Sequence, residues 1–207
     1  MEIENPPSVA RANVKGYLDA PGRGLCKVYV FDSPKCGNRL VIYGEVCFWH
    51  LIMAEGNPHV LRYILPRFDE GPINIRQYAD VHLDGGDIER WHFSERSKKK
   101  KFSGELPSIL KTAYDIAEAR CLPLNWKILC AFQNRARGRF LEKESAVLRA
   151  LFRERSSIQL DALINQPGAD QGSMFAVLAR KLALGSLETD LRTRMLSRQS
   201  VITQVQS

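Results

Sequence analysis

Apolar and polar positions alternate along the chain in two different periods, and the change of period divides it. "LCKVYVFD", Leu25 to Asp32, alternates with β-branched residues and predicts a strand, and "SPKCGN" after it predicts a turn. "LVIYGEVCFWHLIMAEGN" opens with a short apolar run and then shifts to helical spacing. Val46, Trp49 and Met53, with Phe48 and Ile52, recur at three and four residues, and Gly56-Asn57-Pro58 stops the helix. "HVLRYILPRF" predicts a second strand broken by Pro66. Residues Ile75 to Phe93 predict a hairpin around Gly85-Gly86. "ELPSILKTAYDIAEARCLPL" predicts an amphipathic helix with Ile109, Ala113, Ile116 and Ala117 on one face and Pro123 beyond its end. "NWKILCAFQ" predicts a short buried strand. The first two thirds therefore read β-α-β-β-β-α-β, the order of helices on a mixed sheet. Residues 1 to about 24, rich in Pro, Gly and charge, predict an extended arm.

The last third holds no long strand pattern. "EKESAVLRALFRERS", Glu142 to Ser156, predicts an amphipathic helix. Leu160, Leu163 and Ile164 predict a brief helix stopped by Gly168. "DQGSMFAVLARKLALG", Asp170 to Gly185, predicts a third helix with Gly185 past its end, and "SLETDLRT" a short ribbon. Helix, short helix, turn, helix and ribbon is the order of a winged helix-turn-helix. No internal repeat and no low-complexity segment interrupts the chain.

Composition narrows the partners. Of 207 residues, 44% are hydrophobic and 26% charged, ordinary for a globular protein. No segment approaches the roughly 18 apolar residues of a membrane helix. "MEIENPPSVARANVKG" lacks the apolar core of a secretory signal, so the expected compartment is the cytoplasm, without membrane partners. A formal net charge of +7 favours polyanions such as DNA. The five cysteines make no C-x-x-C pair, and Cys47 and Cys130 among apolar neighbours read as core residues. The four histidines show no metal-binding spacing, although His82 and His92 are candidates to meet across the hairpin.

A divalent-metal nuclease needs two or three carboxylates around one point and a lysine near the attacking water. Glu45, opening the helix, and Asp80, heading a hairpin strand, are the metal-ligand candidates. Each also has a plain structural reading: a helix N-terminal acid favoured by the dipole, and a solvated strand end. A two-residue turn places Asp80 near Trp91 on a face with Arg90 and His92. A one-residue slip places Glu89 and Trp91 there instead. His92 and Glu89 are thus the candidates to complete a catalytic site, and neither register supplies an acid followed by lysine. Lys98, Lys99, Lys100 and Lys101 read either as a solvated loop or as phosphate contacts. In the last long helix, Gln171 and Ser173 sit where a recognition helix meets bases, and Arg180 and Lys181 where it meets phosphates. Arg192, Arg194 and Arg198 add charge near the ribbon. The same helical pattern also suits a three-helix protein-binding module.

In this order the parts resemble the TnsA-like endonuclease subunits of heteromeric transposases. "GEVCFWHLIMAEGNPHVLRY" is similar to that family's helix with its metal-binding Glu and the entry to the next strand. "YADVHLDGG" is similar to the strand with the metal-binding Asp. "LKTAYDIAEARCLPLNWKILCAF" resembles the elements after the active site, and "LARKLALGSLETDL" the winged helix. The resemblance implies an α/β restriction-endonuclease-like domain over 1–138, followed by an all-α winged helix-turn-helix domain over 139–207. It assigns Glu45 and Asp80 to Mg2+ or Mn2+, if the centre is active, and implies DNA and a transposase or transposition regulator as partners. "IERWHFSER" departs from the family, which has an acid or Gln, one spacer and then Lys on this strand, so the expected centre is degenerate or altered. The alternative expectation is a non-enzymatic adaptor that docks a partner protein and binds DNA through its winged helix.

Overall fold

Alternating side chains produce strands at Val28–Asp32, Val60–Ile64 and the hairpin, and the computed structural model describes residues 27–66, 78–95 and 105–205. Strand β1 (Val28–Asp32) pairs antiparallel with β2 (Arg39–Tyr43) as a separate two-stranded ribbon. Helix α1 (Glu45–Glu55) follows at Gly44, whose φ of 85° suits glycine. Strands β3 (Val60–Ile64), β4 (Tyr78–Leu83), β5 (Ile88–Ser94) and β6 (Ser108–Thr112) form a sheet in that order. The first three are antiparallel, and β6 runs parallel to β5. Helices α2 (Ala113–Glu118) and α3 (Leu122–Arg135) come next.

The last third holds α4 (Glu142–Glu154), β7 (Ser157–Gln159), α5 (Leu160–Ile164), α6 (Gln171–Ala183), β8 (Leu187–Glu188) and β9 (Val201–Gln204). The three strands make a sheet of order β7-β9-β8. The described residues thus form a mixed α/β fold with three sheets and six helices.

Three expectations are corrected. "NWKILCAFQ" is helix, not strand: Trp126, Leu129, Cys130 and Gln133 are buried at helical spacing, and Pro123 sits in the first turn, where it is tolerated. "SILKT" is strand, not helix, because it adds to the open edge of β5. The helix begins only at Ala113, where Thr112 and Asp115 form a capping box. The last third is not all-α, since three short strands close it.

Helix α1 is buried on nearly all sides, as its uniform apolarity requires. Phe48 stacks on Tyr29 of the ribbon, with ring centroids 4.2 Å apart. The His50 ring lies 6.0 Å from that of Phe93 on β5. At the helix end, Gly56 lies against Trp126 of α3, so that a Cβ there would meet the indole at 1.8 Å. Phe132 of α3 in turn stacks on Phe175 of α6 at 4.5 Å. One apolar core therefore runs from α1 through α3 to α6, across the 138/139 point where the resemblance divides the chain. Cys47 and Cys130 are buried in that core, and burial pushes the Cys130 thiol up.

Candidate functional site

The hairpin register decides what surrounds Asp80. Leu83 and Asp87 close the Gly85-Gly86 turn, and the ladder then pairs Asp80 with Arg90, Ala79 with Trp91 and Tyr78 with His92. Directly opposed residues share a face, so Tyr78, Asp80, Arg90 and His92 lie together. Ala79, Val81, Trp91 and Phe93 occupy the other face and are buried. Helix α1 packs on that buried face, where its His50 imidazole reaches the Thr112 carbonyl at 2.9 Å and faces Phe93.

Asp80 therefore projects from the side of the sheet away from α1. Its two oxygens accept from Arg90 Nε at 2.7 Å and from the Arg90 terminal nitrogen at 2.8 Å. The same guanidinium lies 4.4 Å from the Tyr78 ring centroid. Glu45 has partners of its own. Lys27 Nζ donates to it at 2.6 Å and Trp49 Nε1 at 3.4 Å, and these contacts hold its carboxyl below its ordinary value, Lys27 first. The structure does not bring Glu45 and Asp80 together.

The other two catalytic candidates are also divided. His92 shares the Asp80 face, opposite Tyr78, whereas Glu89 lies on the α1 face and accepts from Trp91 Nε1 at 2.8 Å. His82 stands opposite Ile88, at the far end of the ladder from His92. Among the described residues no group of three or more His, Cys, Asp and Glu side chains is placed to hold a metal ion. The donors present at Glu45 and Asp80, each engaged by a cation, do not fit Mg2+ or Mn2+. Lys98 to Lys101 lie outside the described residues.

On the α1 face, the end of the sheet opens into a cleft of about 460 Å³ lined by His50, Trp91, Lys111, Asp115, Trp126 and Arg192 among others. Lys111 Nζ sits 4.2 Å from the Trp91 ring centroid. Burial pushes the Lys111 ammonium down, against the opposing pull of Asp115 and Glu89. Burial likewise lowers His50.

In the last third, α6 buries much of its length. Ser173, Met174, Ala176, Val177, Leu178, Ala179 and Leu182 are buried, and Phe175 faces α3. Ser173, a candidate DNA contact, is buried, and its N–H donates to Asp170 at 2.8 Å. Gln171 is exposed and donates to Asn165 at 2.7 Å, and Arg180 is exposed further along.

The ribbon loop is held as well. Asn125 of α3, fully buried, donates to the carbonyls of Leu191 at 2.7 Å and Arg194 at 2.8 Å, and accepts from Leu196 N–H at 2.8 Å. Asn125 thus ties the backbone of this loop to α3, while the Arg192 and Arg194 side chains stay exposed.

A cleft of about 280 Å³ between α4, α6 and the C-terminal strands is lined by Arg149, Phe152, Arg153, Lys181, Ser186 and Gln204 among others. Of these, sequence reasoning singled out Lys181 alone. The pair Arg149 and Arg153, four residues apart on α4, was the available signal for the rest. Asn125 gave no signal, because a polar residue inside a segment read as strand has no reason to be buried.

No model of a known protein family matches this chain, and no curated protein matches it in sequence. Among the described residues no helix is long and apolar enough to cross a membrane.

Proposed function

We propose that the chain is a DNA-binding, non-cleaving component of TnsA-like kind, an adaptor within a transposition system. The observation that carries the loss of cleavage is the Asp80–Arg90 pair. A metal-binding carboxylate needs an open side and a second acid, and here an arginine fills the place on a sheet face away from Glu45. The order α4, β7, α5, α6, β8, β9, with the sheet order β7-β9-β8, supports a winged-helix reading of the last third. A helix beside a mixed sheet supports the restriction-endonuclease-like reading of the rest.

DNA enters through charge. The net charge is +7, and Arg149, Arg153 and Arg180 are exposed in the last third. With Ser173 buried and Gln171 bonded to Asn165, contact is to backbone phosphates rather than to base edges. The resemblance adds a transposase or transposition regulator as the protein partner.

The test is supercoiled plasmid incubated with the full chain and Mg2+ or Mn2+. The expected result is retarded DNA without nicks, and affinity that falls steeply as salt rises. Nicking that disappears in Asp80→Ala would overturn the non-cleaving reading. Binding indifferent to salt would overturn the DNA reading.

A further inference from the structure

The cleft between α4 and the C-terminal strands gathers cations without acids. Arg149 and Arg153 stand at i and i+4 on one face of α4, an arrangement that disfavours the helix through like-charge repulsion. Lys181, in the last turn of α6, lines the same cleft. Helix dipoles account for Lys181 and Arg153, which lie in last turns, but not for Arg149 in mid-helix. Among the described residues, no ion pair joins any of the three to an acid. Leu148, Phe152 and Leu187 floor the cleft, and Ser186 and Gln204 border it. Arg149 and Arg153 are exposed, so their charge is open to an anion arriving from water.

We infer that this cleft is a phosphate-binding site formed by Arg149, Arg153 and Lys181. The two guanidiniums supply forked donors suited to phosphate oxygens, and the ammonium supplies a point charge. The source of the phosphate, a DNA backbone, rests on the reading proposed above. The site itself stands on the convergence of the three cations.

The experiment compares the full chain with Arg149→Gln/Arg153→Gln and with the control Arg135→Gln/Arg139→Gln. The control removes the same charge from exposed positions outside the cleft. Binding of a labelled duplex is followed by anisotropy from about 50 to 200 mM salt, where each lost phosphate contact reduces the slope by about 0.9. Over that range the wild type is expected to lose about tenfold more affinity than the cleft variant, with the control close to wild type. An equal reduction in both variants indicates a diffuse field and overturns the site.

A second arm uses inorganic pyrophosphate. At ten times its dissociation constant it raises the wild-type melting temperature by about 4 °C and leaves the cleft variant unmoved. That shift without any duplex binding keeps the phosphate site and sinks the DNA source. No shift, together with unchanged slopes, overturns the proposal. Melting without probe establishes that both variants fold.

Discussion

If Asp80 is one half of a structural ion pair, removing it destabilises the protein. If it is a carboxylate waiting for metal, removing it relieves strain. The geometry sets the size of the effect. Two charge-assisted hydrogen bonds of 2.7 and 2.8 Å join Asp80 to Arg90, with side chains 26% and 33% exposed. Fully exposed pairs contribute up to about 1 kcal/mol, and breaking a buried one costs about 3–5 kcal/mol. A bidentate pair between those limits gives a coupling of about 1.5 kcal/mol. Asp80→Ala is then expected to cost about 1.7 kcal/mol. Arg90→Ala, which also loses the contact with Tyr78, costs about 2.3 kcal/mol. The double variant costs about 2.5 kcal/mol rather than the sum of about 4.

The assay is urea denaturation of the four proteins at neutral pH with chelator present, and again with Mg2+. Asp80→Ala that stabilises the fold, as functional carboxylates often do when removed, would refute the reasoning. So would a coupling below about 0.3 kcal/mol, or a wild-type stability that rises with Mg2+.

Asn125→Ala strands two carbonyls and one N–H of the ribbon, at a cost of about 3 kcal/mol. Trypsin is expected to cut at Arg192 and Arg194 faster in this variant, and an unchanged rate would show that the ribbon is held elsewhere. His50 gives a pH dependence of defined sign. Burial lowers its value below the ordinary 6.5, with Lys111 adding to the shift and the Thr112 carbonyl and Asp115 opposing it. The folded state therefore binds fewer protons than the unfolded one, and stability is lost as pH falls through about 6.5 toward the lowered value. Glu55, pushed up by burial, contributes a change of opposite sign at lower pH. Melting temperature from pH 7.5 to 5.0 is thus best read as wild type minus His50→Gln, a difference that shrinks with acid. A constant difference refutes the assignment.

Period and punctuation were enough to place α1, β3, the β4–β5 hairpin, α4 and α6 from the sequence. In each, alternation or helical spacing is set by which side chains leave water, and Gly or Pro marks the ends. Arg149 and Arg153 went unremarked in the sequence, where an i, i+4 pair shows no sign of the wall it faces. Two segments were read in the wrong state because local pattern is weak where tertiary contacts decide. Short apolar runs such as "SILKT" and "NWKILCAF" suit either state. The first became strand because β5 offers an unpaired edge, and the second became helix because α1 and α6 need a surface to pack between.

The carboxylate candidates show the same division. Sequence named Glu45, Asp80, Glu89 and His92 and left two registers open. Only the closed hairpin ladder set Asp80 opposite Arg90, and only the packing of α1 on the Trp91 face parted it from Glu45. What the chain alone determined was which residues carry charge and which leave water, because those are properties of side chains one at a time. Which charges meet, and which helix faces stay open, are properties of pairs of surfaces, and these came into being only when the sheet, α1, α3 and α6 packed together.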